Sequence, residues 1–311
     1  MKTTKKKKRN TWQENLFILS CVLIPVVNFL VFYVYVNLDA FAMAFQKPIA
    51  GGQIIWTFDN FAWVFDKIFN GSRVATDNLR LAFGNTFLTF FVQICMFVVG
   101  LFVSYFLYKK ILGYKFFRII FFLPSILSAV VTTVFYSQLM NNAGFQHFLT
   151  VLFHLDYELN SPLMDSSFAN GMVLMHLIWL SFPSNMILWG GTFSRIPDAV
   201  LESARIDGAN WVRELFQIIL PIVWPTFVIL ITTQAAGIFG ASGSVFLLTG
   251  GQYGTQTVSN WIYTYVQTAT GPNSGNLYRA ATLGFCLTVV SCGLALGIRY
   301  FLNHRVEEVE F

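Results

Sequence analysis

Long apolar runs separated by short polar segments dominate this chain of 311 residues. Because about 20 consecutive apolar residues cross the hydrocarbon core of a bilayer, each run of that length predicts a membrane-spanning helix. Six such runs follow one another, at 16–38, 82–108, 116–140, 168–192, 222–248 and 280–300. The pattern therefore predicts an all-α, polytopic membrane protein with six transmembrane helices.

The polar segments divide the chain into regions. They are a cytoplasmic basic tail at 1–15, a first transmembrane helix with its outer loop at 16–80, a core of five transmembrane helices with a charged hairpin at 81–302, and a cytoplasmic tail at 303–311. Ala42-Met43-Ala44 resembles a signal-peptide cleavage site, but the preceding run is longer than a usual signal core and more spans follow. We therefore expect the first run to remain as a span.

The stretch 196–225 differs from the apolar runs on either side of it. It is rich in charged residues and has the pattern of two short helices. Gly208 supplies the permissive backbone that a sharp turn needs. A second amphipathic segment begins at Ala209 or Asn210 and is expected to stop at Pro221, because proline cannot donate to the helix ladder. The pattern predicts a helical hairpin, with its fixed part at 196–221.

Composition agrees with a membrane location. The chain is 55% hydrophobic and only 11% charged, whereas a soluble domain averages about 25% charged residues. All four cysteines lie inside apolar runs, where a small buried hydrophobe is the simplest interpretation. The sequence has no Cys/His cluster, so we expect no metal site and no cofactor.

The distribution of positive charge predicts sidedness. When six spans alternate, fifteen of the 20 Lys and Arg residues fall on the side of the N-terminus. The positive-inside rule then places both termini and the hairpin in the cytoplasm.

The spans offer little to power transport. Ion-coupled transporters usually keep ionisable groups at membrane depth, and only His176 lies well inside a span. A lone histidine on a helix is more often a packing residue than a proton relay. The chain also lacks a GxxxxGK[ST] phosphate loop. An ion-coupled secondary transporter is thus one alternative, and the charged hairpin favours an external motor.

Intramembrane proteolysis is a second alternative. Gly240-Ala241-Ser242-Gly243 matches the GxSG pattern of rhomboid-type serine proteases. A nucleophilic serine needs a base within hydrogen-bond reach, and the one later histidine, His304, is expected at the other side of the membrane. Small residues that allow close helix packing explain the motif more simply.

The hairpin carries a longer motif than GxSG. Its residues are Glu202-Ser203-Ala204, then Gly208, then Ile218-Ile219-Leu220-Pro221. This spacing resembles the EAA loop of binding-protein-dependent ABC importer permeases, E-A-A, three residues, G, nine residues, I-x-L-P, with a serine for the first alanine. The surrounding sequence is similar to the carbohydrate branch of that family, in particular to the maltose-type larger permease subunit. The resemblance implies the fold of a type I ABC importer permease.

The resemblance also implies a coupling role for the hairpin, which would dock into a cleft of a separate ATPase without any catalytic role of its own. The implied coupling residues are Glu202, Ser203, Ala204, Asp207, Gly208, Ile218, Leu220 and Pro221. Glu202 would meet a basic residue of the ATPase, and Gly208 would set the turn. Beside the charged face, an apolar face would be offered by Val200, Leu201, Ala204 and Ile206.

Substrate contacts would lie on the fourth and fifth spans near mid-membrane. The positions implied by the resemblance are Leu177, Leu180, Ser181, Ser184, Gln234, Gly237, Ile238 and Ala241. Because polar groups are costly in lipid, we expect those on these spans to face a cavity or another helix; they are Ser181, Ser184, Asn185 and Gln234. Trp179, Phe182 and Phe239 could stack on a sugar ring or simply pack.

The implied partners are a second homologous permease, two ABC ATPase subunits and an extracytoplasmic solute-binding protein. The implied cargo is a small-molecule sugar, in a multi-pass protein of the bacterial cytoplasmic membrane that contacts lipid and no nucleic acid. The maltose-type pocket has aromatic and amide groups where this chain has Ser, Gly and Ala, which leaves the identity of the sugar open.

Overall fold

The structure, a computed structural model, describes residues 11–49, 53–71, 74–153, 161–240, 243–270 and 275–304. Its α-helices are α1 (Thr11–Asn28), α2 (Val36–Ala44), α3 (Asp59–Asn70), α4 (Leu79–Tyr108), α5 (Tyr114–Ile126), α6 (Ala129–Met140), α7 (Ala143–Phe153), α8 (Ala169–Phe193), α9 (Asp198–Ile206), α10 (Trp211–Arg213), α11 (Leu220–Ala236), α12 (Gly243–Leu248), α13 (Val258–Gln267) and α14 (Gly275–Asn303). Two π-helical segments, Phe29–Tyr35 and Glu214–Ile219, join α1 to α2 and α10 to α11. The strands β1 (Gln46–Pro48) and β2 (Ile54–Trp56) pair antiparallel, and a 3₁₀ turn lies at Ala75–Asp77.

The predicted all-α membrane class is confirmed. Five helical stretches are long and apolar enough to cross a membrane, at Glu14–Ala44, Leu79–Tyr108, Ala169–Phe193, Trp211–Ala236 and Gly275–Asn303. Within the described ranges there is a sixth crossing if the bent pair α5 and α6 counts as one span. In chain order these are spans one, two, four, five and six, and the bent pair is span three.

Span three is not the straight helix that the apolar run 116–140 predicts. Its two halves meet at 104°, across the extended residues Leu127 and Ser128. The Ser128 hydroxyl caps α6 by accepting the Val131 N–H at 3.3 Å, and Pro124 weakens the end of α5 because it cannot donate to the ladder. Hydropathy measures only the apolar content of a run. It therefore does not detect a helix cap, such as Ser128, that lies within the run.

Span five is displaced from the predicted run 222–248. The second arm of the hairpin and the span form one continuous helix, Trp211–Ala236, so the prediction that Pro221 ends the arm is wrong. The chain widens into the π-helical segment Glu214–Ile219 just before the proline, where the wider turn gives the ring room and the missing N–H costs little. The helix then stops at Gly237, and α12 follows as a separate short helix.

Spans two and four pack closely along their length. Asn185 Nδ2 donates to the Met96 carbonyl at 3.2 Å, and Trp189 Nε1 donates to the Phe97 carbonyl at 3.3 Å. A Cβ at Gly100 would lie only 2.6 Å from Asn185 Cβ. A glycine here lets two membrane helices approach, and Asn185 faces another helix, as its polarity predicts.

The Gly-rich segment between spans five and six folds onto the start of span two. Asn85 Nδ2 donates to the carbonyls of Gly254 and Gln256 at 2.7 and 2.9 Å, and the Val258 N–H donates to Thr86 Oγ1 at 3.0 Å. These bonds satisfy polar groups that would otherwise be buried without partners. Residues 249–257 of this segment are therefore a fixed turn.

Two glycines in this turn allow a matched test. Gly250 and Gly251 have φ values of 63° and 82°. A Cβ at Gly251 would overlap Gln256 Oε1 and Asn260 Nδ2, whereas one at Gly250 would meet nothing within 4 Å. We expect Gly250→Ala to lower the free energy of unfolding by about 1 kcal/mol through backbone strain, and Gly251→Ala by about 1–3 kcal/mol more. Thermal unfolding in detergent measures both, and equal melting temperatures would contradict the close packing.

Charged side chains join α3, α13 and span six at this same end. Asp77 pairs with Lys67 and accepts the Tyr265 hydroxyl at 2.6 Å. Burial raises the pKa of Tyr265, and the bond to Asp77 acts in the same direction, so the hydroxyl remains a protonated donor. The Arg279 guanidinium lies 4.5 Å from the centroid of the Trp63 ring.

Span one packs on the rest of the chain through its last part. The Thr282 hydroxyl donates to the Ala44 carbonyl at 2.8 Å, and Phe45 meets Phe285 edge to face at 5.4 Å. The most apolar 18-residue window of Glu14–Ala44 is 0% buried within the chain. This part of the helix is thus exposed in the single chain.

Candidate functional site

The predicted hairpin is present between spans four and five. The Gly208 N–H donates to the Arg205 carbonyl at 3.1 Å, and the Ala209 N–H donates to the Ala204 carbonyl at 3.0 Å. This Schellman ending needs a left-handed residue, and Gly208 supplies it with φ 69°. Asn210 caps the second arm by accepting a backbone N–H at 2.8 Å. The turn is therefore the one that the sequence predicts.

The tip of the hairpin is open and charged. Glu202, Ser203, Asp207 and Gly208 are exposed, and Ile206 is 86% exposed. Within the part of the chain that the structure describes, neither the Glu202 nor the Asp207 carboxylate has an ion-pair partner. An unpaired carboxylate beside an exposed isoleucine suits contact with another protein.

The inner side of α9 does not belong to that open surface. Leu201 and Ala204 are 6% and 4% exposed, so they do not contribute to the exposed apolar face expected from the sequence. Leu201 is part of a buried cluster that joins the hairpin to spans two and four. Its members are Phe97, Leu101, Tyr105, Trp189, Phe193, Ile196, Leu201, Leu215, Ile219 and Val223. The second part of the motif lies along this junction, where the partly buried residues are Ile218, Leu220 and Pro221.

A buried carboxylate anchors the second arm to span two. Glu214 is 1% exposed, and its Oε2 lies 2.7 Å from Lys109 Nζ. The Tyr105 hydroxyl donates to Glu214 Oε1 at 3.2 Å, and Lys109 Nζ lies 5.5 Å from the centroid of the Tyr105 ring. The count of charged residues does not predict that Glu214 and Lys109 meet. The sequence feature that indicates burial of Glu214 is its position directly before the apolar Leu215, on the side of the second arm that packs against the bundle.

Lys109 stays charged in this cluster. Burial acts to lower its pKa, but the hydrogen bond to the Glu214 carboxylate and the nearby Tyr105 side chain outweigh burial, so the pKa lies above the usual 10.5. A raised pKa gives a stabilisation that is complete below the unfolded value and is lost only as the pH rises through the folded value. Lys109 is therefore charged at physiological pH.

The path positions implied on span four share one helical side, away from the side that packs on span two. They are Leu177, Leu180, Ser181 and Ser184, all half-buried or exposed. The Ser181 hydroxyl is satisfied within its own helix by the Ile178 carbonyl at 2.8 Å. This side of span four is thus open in the single chain.

On span five the path positions differ from one another. Gln234 is half-buried and Gly237 exposed, and among the described residues the Gln234 amide has no hydrogen-bond partner. An unpaired amide at membrane depth is costly unless it meets water or a polar solute. Ile238 is 4% exposed, so it packs instead of facing open space. Ala241 lies outside the described residues.

The three candidate stacking rings have different surroundings. Trp179 and Phe182 line a cavity of about 430 Å³ inside the bend of span three. The ring centroids of Phe182 and Phe121 are stacked 5.2 Å apart. The Tyr136 hydroxyl in the same wall already donates to the Met172 carbonyl at 2.8 Å. A sugar needs hydrogen-bonding groups, which this apolar wall does not offer. Phe239 packs against rings of span two.

Proteins of similar sequence are transporter subunits. Over 210 residues the chain is 29% identical to the galactooligosaccharides transport system permease protein GanP of Bacillus subtilis, covering 64% of this chain and 48% of that protein. Over 232 residues it is 28% identical to the maltose/maltodextrin transport system permease protein MalF of Vibrio parahaemolyticus, covering 70% and 42%. A probable ABC transporter permease protein of Mycoplasma pneumoniae is 24% identical over 84% of this chain and 79% of that protein. No family model matches the chain.

Solved structures show the same fold. A chain of a bacterial ABC transporter involved in the import of the acidic polysaccharide alginate superposes with a TM-score of 0.72 at 19% identity, covering 96% of this chain and 100% of that one. A second alginate transporter structure, in complex with a pentasaccharide-bound periplasmic protein, gives the same TM-score at 21% identity, covering 96% of each chain. The chain resembles the permeases of carbohydrate ABC importers in sequence and in fold. The matched part spans about half the length of the galactooligosaccharide and maltose relatives.

His176 has the surroundings of a packing residue. Its Nδ1 lies 3.1 Å from Ser244 Oγ on α12, and Nε2 is buried without a partner among the described residues. The ring packs between Tyr136 and Trp179, at 4.9 and 6.2 Å. The GxSG pattern, which is followed by His304 alone, does not predict this serine–histidine pair. Catalysis would also need a group that orients the second nitrogen, and aromatic rings surround it instead. Ser242 itself lies outside the described residues.

Proposed function

We propose that this chain is a transmembrane permease subunit of an ATP-driven ABC importer that carries a sugar or an oligosaccharide across the bacterial cytoplasmic membrane. The observation that carries the proposal is the hairpin. Its tip presents an unpaired Glu202 carboxylate, while its two arms are packed into spans two, four and five. A partner bound to such a projection could displace the helices on which the hairpin packs.

Two ATPase subunits would dock from the cytoplasm, one on this hairpin and one on the equivalent hairpin of a second permease. The open sides of spans four and five, with Ser184 and Gln234, would line one path shared with that second permease. An extracytoplasmic binding protein would deliver the solute at the opposite end, near the fixed turn before α13. ATP-driven closure of the ATPases would displace the hairpins and alternate access, as a rigid-body transition between two packings.

The proposal is tested with the complex purified from native membranes through a tag on this chain and reconstituted in liposomes. Labelled galactooligosaccharide and maltodextrin, the solutes named for two relatives, serve as probes. We expect uptake to require ATP, the ATPase subunits and the binding protein. Uptake by the chain alone that an ionophore abolishes would instead establish an ion-coupled secondary transporter.

Gln234→Leu tests the path. We expect import to fall about three- to tenfold, the effect of losing one neutral hydrogen bond to the solute, while ATPase association stays unchanged. Thr288→Val on span six is the matched control, because the Thr288 hydroxyl is already bonded to the Gly284 carbonyl at 2.8 Å. Initial uptake rates at saturating binding protein measure the effect. Equal rates for both variants would remove Gln234 from the path.

A further inference from the structure

The cluster formed by Tyr105, Lys109 and Glu214 is the most specific polar contact between the hairpin and the bundle. Glu214 lies in the π-helical segment of the second arm, and its two partners lie on the last turn and the cap of span two. Both carboxylate oxygens are used, Oε2 by Lys109 at 2.7 Å and Oε1 by Tyr105 at 3.2 Å. The Tyr105 hydroxyl is also 3.4 Å from the Trp211 carbonyl.

An ion pair in this place does more than fill space. Burying charges is costly, and well-packed apolar residues often stabilise a protein as well or better. The hydrophobic effect is non-directional, whereas a carboxylate held from two directions specifies one register. The neighbouring contacts of the arm with span two are aromatic, such as Phe106 with Trp211 at 5.6 Å. Register at this junction therefore depends on Glu214.

Span two in turn is bonded to span four. Asn185 and Trp189 donate to backbone carbonyls of span two at 3.2 and 3.3 Å, and Gly100 lets the backbones approach. Span four leads directly into the first arm of the hairpin. Span two is thus connected to the hairpin twice, once through span four and once through Glu214.

We propose that Glu214, Lys109 and Tyr105 form a positioning site that transmits displacement of the hairpin to span two, so that spans two and four move together with the hairpin as one body. This inference rests on the proposed function, because it concerns how the docked motor acts on the bundle. Tyr105, Lys109 and Glu214 are positioning residues, since they touch neither solute nor nucleotide in this scheme.

The reconstituted complex provides the test through two rates, ATP hydrolysis and solute import, whose ratio reports coupling. We expect Glu214→Gln and Lys109→Met to leave ATPase association in place and to lower the import per ATP at least tenfold. The exchange Lys109→Glu with Glu214→Lys restores the pair in reverse and should bring the ratio to within threefold of the wild-type value. Tyr105→Phe keeps the ring and removes one bond, with an expected twofold to fivefold loss.

Lys47→Met is the matched control, because Lys47 forms an exposed ion pair with Asp59 at the end of the bundle opposite the hairpin. This variant should leave the ratio of import to ATP hydrolysis unchanged. An unchanged ratio in Glu214→Gln and Lys109→Met, or an exchange variant no better than these, would overturn the inference. If the single variants fail to assemble, Tyr105→Phe and the exchange variant decide in the same way. A wild-type complex that imports nothing with ATP would overturn the proposed function itself, which separates the two failures.

Discussion

Glu202→Lys is expected to detach the ATPase and to reduce ATP-dependent import to background. The side chain is exposed at the hairpin tip and has no ion-pair partner among the described residues. A lysine in its place would repel the basic group expected on the ATPase. Replacing an attraction by a repulsion at a desolvated contact costs several kcal/mol, at least about 100-fold in affinity. Co-purification of the ATPase and uptake into liposomes measure the two effects.

Asn303→Lys is the control for added positive charge, because Asn303 is exposed at the hairpin end of span six. It should leave both readings unchanged. Gly208→Pro tests the turn independently of charge. Proline cannot adopt the φ of 69° found at Gly208 and removes its N–H bond to the Arg205 carbonyl. If association and uptake survive both Glu202→Lys and Gly208→Pro, the hairpin is not the coupling element.

Gly100→Ala is expected to destabilise the contact between spans two and four. The added Cβ would lie 2.6 Å from Asn185 Cβ, both in the seam between spans two and four. Neither helix backbone can retreat without loosening the bonds of Asn185 and Trp189 to span two. Overpacking of this kind costs about 1–3 kcal/mol. We expect a lower melting temperature in detergent and faster proteolysis.

Gly84→Ala is the matched control for that substitution. Gly84 lies in the same helix, and a Cβ there would meet nothing within 4 Å. Alanine favours a helix over glycine by about 0.5–1 kcal/mol, so Gly84→Ala should be neutral or stabilising. A melting temperature lowered equally by both variants would mean that the effect does not come from the contact between spans two and four.

Apolar run length and one motif carried most of what could be predicted. Spans two, four and six begin and end within a few residues of their predicted positions, because a bilayer sets a minimum length for uninterrupted apolar helix. Gly208 was predictable as the turn because few residues adopt a positive φ without strain. The length of an apolar run and the conformation of one glycine are local properties, so the neighbouring sequence predicts them.

Two of the features that the sequence does not predict depend on residues distant in sequence. Glu214 and Lys109 meet across 105 positions, and His176 meets Ser244 across 68, so no spacing rule relates them. The bend of span three rests on a single serine cap within an apolar run. The helix through Pro221 continues because a π-helical turn precedes it. The bend and the continuous helix each depend on a local backbone geometry that hydropathy does not distinguish.

The continuity of the helix from Trp211 to Ala236 has a mechanical consequence. At 1.5 Å per residue, the part beyond Glu214 extends about 33 Å from the buried ion pair to Ala236. If the body formed by the hairpin and spans two and four tilts by about 10°, the far end of this helix moves sideways by roughly 6 Å relative to the ion pair at that length. Gln234 sits close to that far end. A small tilt of the hairpin would thus become a large displacement at membrane depth, where the proposed solute path lies.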